Sequence, residues 1–330
     1  MVVCYGVRET ERPFFEKLNK YGFALDLQEE LLSHGNVDTA KGAEAVIIRG
    51  NCKADAKNIE TLAGFGVKYI LTRTVGINHI DMAAARTFGM RCARVPEYSP
   101  NAIGELAVTL AMMLLRHTAH MITKTKDKDF RVDSEMFSRE LRHCKVGILG
   151  TGKIGLTTAR LFKGLGATIL CYDIVENDAA KEVGTYLPLD DVLKNSDIIS
   201  IHVPFIKGKT GGMINSSFLS TLKPGAILIN TARGELADDK AILEALKGGG
   251  LAAYGTDVLN HEGDFFFRDM KGKQLPTKEL EELWSLYPRV LITPHIGSYT
   301  DEATTNMIEI SYENLQSFLT TNKCANEILI

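Results

Sequence analysis

The 330 residues, 45% hydrophobic and 24% charged, have the balance of a globular protein long enough to bury the cores of two domains. A formal net charge of −3 and a pI near 6.3, with basic residues scattered as in the sign-alternating KTKDKDFR (124–131), exclude an electrostatic case for nucleic acid or anionic membrane. Six cysteines (Cys4, Cys52, Cys92, Cys144, Cys171 and Cys324) form no CxxC pair, which excludes a disulfide framework and points to reduced, buried thiols and a cytoplasmic location.

MVVCYGV opens the chain with an apolar run too short for a signal peptide. It reads as the first of a strand series continued by ALDLQ, AVIIRG, YILTRT and RCARVP, with helical stretches such as RPFFEKLNKYG and DAKNIETLAGFG between them. That alternation predicts an open parallel α/β sheet. LAVTLAMMLLRH (106–117) is too short to span a bilayer and reads as a buried interior helix. A second series starts at Lys145, with strands KVGILG, TILCYD, DIISIHVP, AILINTA, AAYGTDV and VLITP. The helices GLTTARLFKGLG, DDVLKN, SSFLSTL and DKAILEALKGGG connect them, which predicts a doubly wound sheet. After Pro294 come a helix over about 301–320, with Ser298 or Thr300 as cap, and a polar tail. This segment adds no strand, so it is expected to pack back on the first domain. The expected division is 1–99 with 297–330, and 100–296 inserted between them.

GTGKIG (150–155) matches GxGxxG, a weak signal alone because glycine-rich turns are common. Here it follows the apolar strand KVGIL, opens a helix and precedes a strand ending on Asp173, the context a dinucleotide site requires. Gly150 permits the tight turn, Gly152 lets backbone approach a pyrophosphate, and Gly155 lets helix pack on strand. The helix amino-terminus offers N–H donors and the positive end of its dipole. Asp173 suits the adenosine ribose hydroxyls and repels a 2′-phosphate, and Ile174-Val175 brings no arginine to hold one, so the cofactor read here is NAD. The fold class is α/β: two doubly wound parallel-sheet domains, with a Rossmann NAD domain inserted in a flavodoxin-like substrate domain.

Ligands of doubly wound sheets lie beyond the carboxyl ends of the strands. AILINTA ends in Arg233-Gly234, AAYGT in Asp257 with Glu262 five residues on, and VLITP in His295. Each alone has a bland explanation: Arg233 as a surface cation, Glu262 as a loop acid, His295 as a satisfied core residue. Three at equivalent topological places beside a dinucleotide loop favour a catalytic set. His117 and His120, spaced i,i+3, have no carboxylate or cysteine beside them in their helix and read as helix-end residues, so no metal is expected. His202 serves a strand end with no proton role, and the run GDFFFRD (263–269) reads as core or interface packing.

Several stretches go beyond any general dinucleotide fold: RTVGINHID (73–81), VPEYSPNAIGELA (95–107), VGILGTGKIG (146–155), DIISIHVP (197–204), INTARGELAD (229–238), YGTDV (254–258) and LITPHIGSYT (291–300). Through them the chain resembles the D-isomer-specific 2-hydroxyacid dehydrogenases, and more narrowly their D-lactate and D-2-hydroxyisocaproate subgroup. The resemblance implies Arg233, Glu262 and His295 as catalytic residues, a split amino-terminal domain, hinge closure over substrate and a homodimer built through the cofactor domain. It implies cofactor contacts by Lys153 and Ile154, Asp173, Val203 and Pro204, Thr231, Ala232 and Arg233, and Asp257. Val75 and Gly76 match the backbone donors to the substrate carboxylate, and Tyr98 and Asn101 match residues near pocket and hinge.

The chemistry follows from the residue types. Arg233 forks onto the carboxylate and carbonyl of a 2-oxoacid, His295 supplies the proton, and Glu262 orients the imidazole and favours its protonated form. Arg49, ending AVIIRG, departs from the uncharged residues of lactate-type relatives. It suggests the distal carboxylate of a dicarboxylate such as 2-oxoglutarate, as in an R-2-hydroxyglutarate dehydrogenase. The alternatives are a D-lactate or D-2-hydroxyisocaproate dehydrogenase with Arg49 paired to a protein acid or to solvent, a phosphoglycerate or formate dehydrogenase, and, from another class, an NAD-sensing corepressor-like regulator.

Overall fold

The five amino-terminal apolar runs form strands β1 (Val2–Cys4), β2 (Leu25–Leu27), β3 (Ala45–Ile48), β4 (Tyr69–Thr72) and β5 (Arg91–Arg94). They make one all-parallel sheet in the order β2-β1-β3-β4-β5. This is the flavodoxin-like order, with a reversal between β1 and β3. Helices cover both faces, so β3 and β4 are buried along their whole length and read as continuous apolar runs. Alternation divides the core: Val3, Val46, Ile48 and Ile70 meet the helices Ala56–Gly64 and Met82–Thr87, while Val2, Cys4, Ile47 and Leu71 meet Ile308, Tyr312, Leu315 and Phe318. Those last four lie on the helix Asp301–Thr321. Thr300 caps it by accepting from the Ala303 N–H, and Asp301 and Glu302 complement its dipole.

The computed structural model describes residues 1–329 and divides into two compact units, residues 1–99 with the segment from Ser298 onward, and Pro100–Gly297. The second break falls one residue later than expected from sequence. The Gly297 N–H donates to Asp257 at 2.8 Å and so ties that residue to the inserted unit.

The inserted unit carries β6 (Lys145–Leu149), β7 (Thr168–Tyr172), β8 (Thr185–Tyr186), β9 (Ile198–Ile201), β10 (Ala226–Asn230), β11 (Leu251–Thr256) and β12 (Val290–Ile292). Their order is β12-β11-β10-β9-β6-β7-β8, all parallel, with the reversal between β6 and β9. Sequence reading anticipated six of these strands and missed β8, two residues with no apolar run. The helix Pro100–Leu115 lies buried through Ala107, Leu110, Ala111 and Leu114 on the face that also holds Val146, Ile148 and Ile229. It breaks at His117, whose φ is +50°. No single helix among the described residues is long and apolar enough to cross a membrane. Phe265 and Phe266 join the opposite core, and Phe267 is exposed. Burial pushes the thiols of Cys4 and Cys92 up to about 12 and that of Cys171 to about 11, which keeps them protonated and unreactive.

Candidate active site

β6 and β9 flank the reversal of the second sheet, the place where a doubly wound fold opens a crevice. Gly150 leaves β6 at φ +91°, and a Cβ there would stand 2.7 Å from the His202 carbonyl. A Cβ on Gly155 would lie 1.9 Å from the Gly150 oxygen. Two loops and a helix therefore close on one another backbone to backbone, while Gly152, opening the helix Lys153–Gly164, faces open space. Asp173, at the end of β7, accepts from the Thr151 N–H at 2.6 Å. His202 shares a hydrogen bond with Ser200 at 2.9 Å, and burial depresses its imidazole to about 4, so it is neutral near pH 7.

Val203 and Pro204 follow β9, with Val203 packed on the apolar core. Thr231, after β10, is buried, and its Oγ1 has no hydrogen-bond partner among the described residues. An orphaned hydroxyl, an open glycine and a twelve-residue helix aimed from the switch point fit a dinucleotide. Gly150, Gly152, Lys153, Ile154 and Gly155 make the turn and the first residues of that helix, Asp173 follows β7, Val203 and Pro204 follow β9, and Thr231 and Ala232 follow β10.

The strand ends of β10, β11 and β12 carry the ionisable set. His295 Nδ1 lies 2.5 Å from Glu262 Oε1, with both side chains partly exposed. His295 adopts φ +51°, a left-handed backbone that costs a non-glycine residue about 1 kcal/mol. Asp257 holds it there. The Asp257 carbonyl accepts from the His295 N–H, and its buried carboxylate accepts from Thr293 Oγ1 at 2.6 Å, Ile296 N–H at 2.9 Å and Gly297 N–H at 2.8 Å. Burial raises the Asp257 carboxyl above its usual range, partly offset by these donors. The residue expected to touch cofactor thus also fixes the histidine's loop.

Arg233 turns out of β10 through Asn230, whose side chain bonds the Ala232 N–H and the Arg233 carbonyl, and the guanidinium donates to the Ala232 carbonyl at 2.7 Å. Gly234 then packs so closely that a Cβ would sit 2.2 Å from the Leu259 backbone. Leu259 in turn donates its N–H to Glu262 Oε2 at 3.2 Å. Arginine turn, glutamate loop and histidine loop are therefore mechanically linked within one unit. Asn230 was not singled out in the sequence, though an asparagine ending a buried strand before an arginine is the signal that could have marked it.

The remaining candidates lie in the first unit. Arg49 follows β3, and a side chain at Gly6 would collide with its aliphatic stem. Burial, with the guanidiniums of Arg8 and Arg73, pushes Arg49 down to about 10 despite the Glu11 carboxylate. Glu11 is shared: Arg73 lies 3.4 Å from it and Arg8 3.7 Å, so cations that follow β1 and β4 meet at one buried acid. Arg8 and Glu11 had escaped sequence reading. Val75 and Gly76 sit in the turn after β4, their carbonyls held by Arg94 and Thr74. The Tyr98 carbonyl accepts from Asn306, and Asn101 is exposed in the first turn of the inserted unit. One expectation is corrected: His120 does have carboxylate neighbours, Asp133 at 3.3 Å and Glu135 at 3.8 Å, brought from a later loop. No cluster of three metal-ligating side chains occurs among the described residues.

Comparison with known proteins places this geometry. Residues 108–297 match the family model for the D-isomer specific 2-hydroxyacid dehydrogenase, NAD binding domain. The chain is 37% identical to the aromatic 2-oxoacid reductase of Clostridium sporogenes, over 99% of this chain and 98% of that protein. It resembles the crystal structure of a Treponema pallidum D-lactate dehydrogenase at TM-score 0.89 and 36% identity, covering 100% and 99% of the two chains. Against a D-2-hydroxyisocaproate dehydrogenase structure the TM-score is 0.88 at 34% identity, covering 99% of both chains.

Proposed function

We infer the substrate from a settled premise: the chain belongs to the D-isomer-specific 2-hydroxyacid dehydrogenases, NAD-dependent oxidoreductases acting on the CH–OH group. Bound NADH supplies the hydride in the reductive direction. Arg233 holds the substrate's C1 carboxylate and polarises its carbonyl, with the Val75 and Gly76 N–H groups as further donors. With Nδ1 of His295 bonded to Glu262, Nε2 is left to give the carbonyl oxygen its proton. The carbon gains the hydride, the oxygen the proton, and the product is an (R)-2-hydroxyacid.

The favoured substrate class is a 2-oxo dicarboxylate such as 2-oxoglutarate, with Arg49 taking the second carboxylate. The carrying observation is a guanidinium, Arg49, following β3, whose charge is disfavoured by burial and by Arg8 and Arg73. An anionic substrate group would favour that charge. The relatives' names support a second reading, a monocarboxylate substrate, since they are an aromatic 2-oxoacid reductase and D-lactate dehydrogenases. A single panel separates the two: kcat/KM for 2-oxoglutarate, pyruvate, 2-oxoisocaproate and phenylpyruvate with NADH. If 2-oxoglutarate is the poorest, the dicarboxylate reading fails.

Two further expectations attach to this site. With Glu262→Gln the carboxylate opposite the imidazole is lost while the hydrogen-bonding shape is kept. The imidazole then loses the charged partner that orients it for proton delivery, so kcat for reduction should fall while affinity for NADH stays close to wild type; an unchanged kcat would uncouple the two residues. Asp173 receives the adenosine ribose hydroxyls, so NADPH should be used far less efficiently than NADH, because its phosphate would meet a carboxylate. Comparable kcat/KM for both cofactors would place ribose recognition elsewhere. A cytoplasmic homodimer completes the proposal, assembled through the exposed Phe130, Val132 and Phe137 of the inserted unit. Light scattering should give twice the chain mass, and a Phe137→Asp, Val132→Asp variant about the chain mass.

A further inference from the structure

We propose that Tyr186 is a positioning residue for cofactor selection, acting through the phosphate loop on Asp173; the inference rests on the reading of Asp173 as the ribose acceptor. Tyr186 lies on β8, the short strand that pairs with β7 through Cys171. Its ring packs against the core and its hydroxyl reaches Thr151, the second residue of GTGKIG.

The hydrogen bonds form a directed relay. The Asn177 N–H donates to the Tyr186 hydroxyl at 2.9 Å, so that hydroxyl spends its one proton on Thr151 Oγ1, at 2.6 Å. Thr151 then spends its own proton on Asp173 Oδ2, at 3.2 Å, and its backbone N–H donates to the same oxygen at 2.6 Å. The Asn177 side chain also clasps the Thr151 carbonyl at 2.9 Å. Two donors occupy the acceptor sites of Oδ2. Among the described residues, the contact at Oδ1 is a long one from the Val175 N–H, 3.4 Å away. A carboxylate oxygen accepts about two hydrogen bonds, so the relay assigns one oxygen to the loop and reserves the other for a ribose diol. Each donated bond polarises the next, and the chain ends on a charge.

Without the tyrosine hydroxyl, Thr151 Oγ1 can rotate away and Asp173 loses the constraint that aims Oδ1. NADPH, whose 2′-phosphate removes that hydroxyl, should be almost insensitive to the change. The test is direct titration of NADH and NADPH into the full-length protein by intrinsic fluorescence, with steady-state kinetics, for Tyr186→Phe, Thr151→Val, the double variant and Thr151→Ser. Tyr186→Phe should weaken NADH by about fivefold, as expected when a neutral link is lost, and Thr151→Val by about tenfold, because it also removes the hydroxyl bonded to the carboxylate. KM for NADH should rise with little change in kcat, and the NADH:NADPH affinity ratio should fall by the same factors. The double variant should match Thr151→Val alone, because both substitutions cut one relay, and Thr151→Ser should restore most of the affinity.

Equal weakening of both cofactors would mean that Tyr186 only stiffens the loop, and additive effects would mean two unconnected contacts; either overturns the relay. Asp173→Asn keeps the failures apart. If that variant retains the wild-type preference for NADH, the ribose reading itself falls. If its preference collapses while that of Tyr186→Phe stays within twofold of wild type, only the relay falls.

Discussion

His295→Ala should lower kcat for NADH-dependent 2-oxoacid reduction by roughly 10²–10⁴-fold, the usual contribution of a positioned general acid. Affinity for NADH should stay close to wild type, since proton delivery is made only in the transition state. The same loss should appear in kcat and in kcat/KM, and a burst-free single-turnover trace would place it on the chemical step. Alanine at φ +51° carries its own strain, so His295→Asn, which tolerates left-handed backbone, is the companion variant. If both variants turn over at the wild-type rate, His295 is not the proton donor. If only alanine is impaired, its effect is conformational.

Arg49→Gln should cost about 100-fold in kcat/KM for 2-oxoglutarate, the scale of truncating one partner of a buried charge pair. Pyruvate and 2-oxoisocaproate present no second carboxylate, so their values should change within about threefold or improve as the local cation excess falls. The sign is the informative part. Arg8 and Arg73 disfavour the charge on Arg49, so neutralising it relieves repulsion in the free protein. A protein held together by Arg49 as a structural cation would instead lose stability and all three activities together. Equal losses across the panel would show that Arg49 does not choose the substrate.

Much of this protein is written in local pattern. Continuous apolar runs such as AVII and YILT form strands because helices cover both sheet faces, and the pattern needs no partner to be read. GTGKIG and its flanking strands mark the cofactor site because turn, helix start and strand end lie within one short segment. Arg233, Glu262 and His295 were legible as strand-end residues, since the alternation of strand and helix fixes where strands end. The contacts that decide what those residues do were not legible. Tyr186 meets Thr151 across 35 positions, on a strand too short to leave a hydropathy signal. Glu11 meets Arg73 across 62 positions, and Asp257 pins the His295 loop from 40 positions away through Gly297. Local propensity depends on neighbours along the chain, whereas these bonds exist only once each sheet has placed distant loops of its own unit side by side. The sequence by itself therefore determined all but one strand of the two sheets, the family and where the candidate residues stand along the chain; the tertiary structure decided which acid meets which cation, because that pairing is set by packing and not by any pattern along the chain.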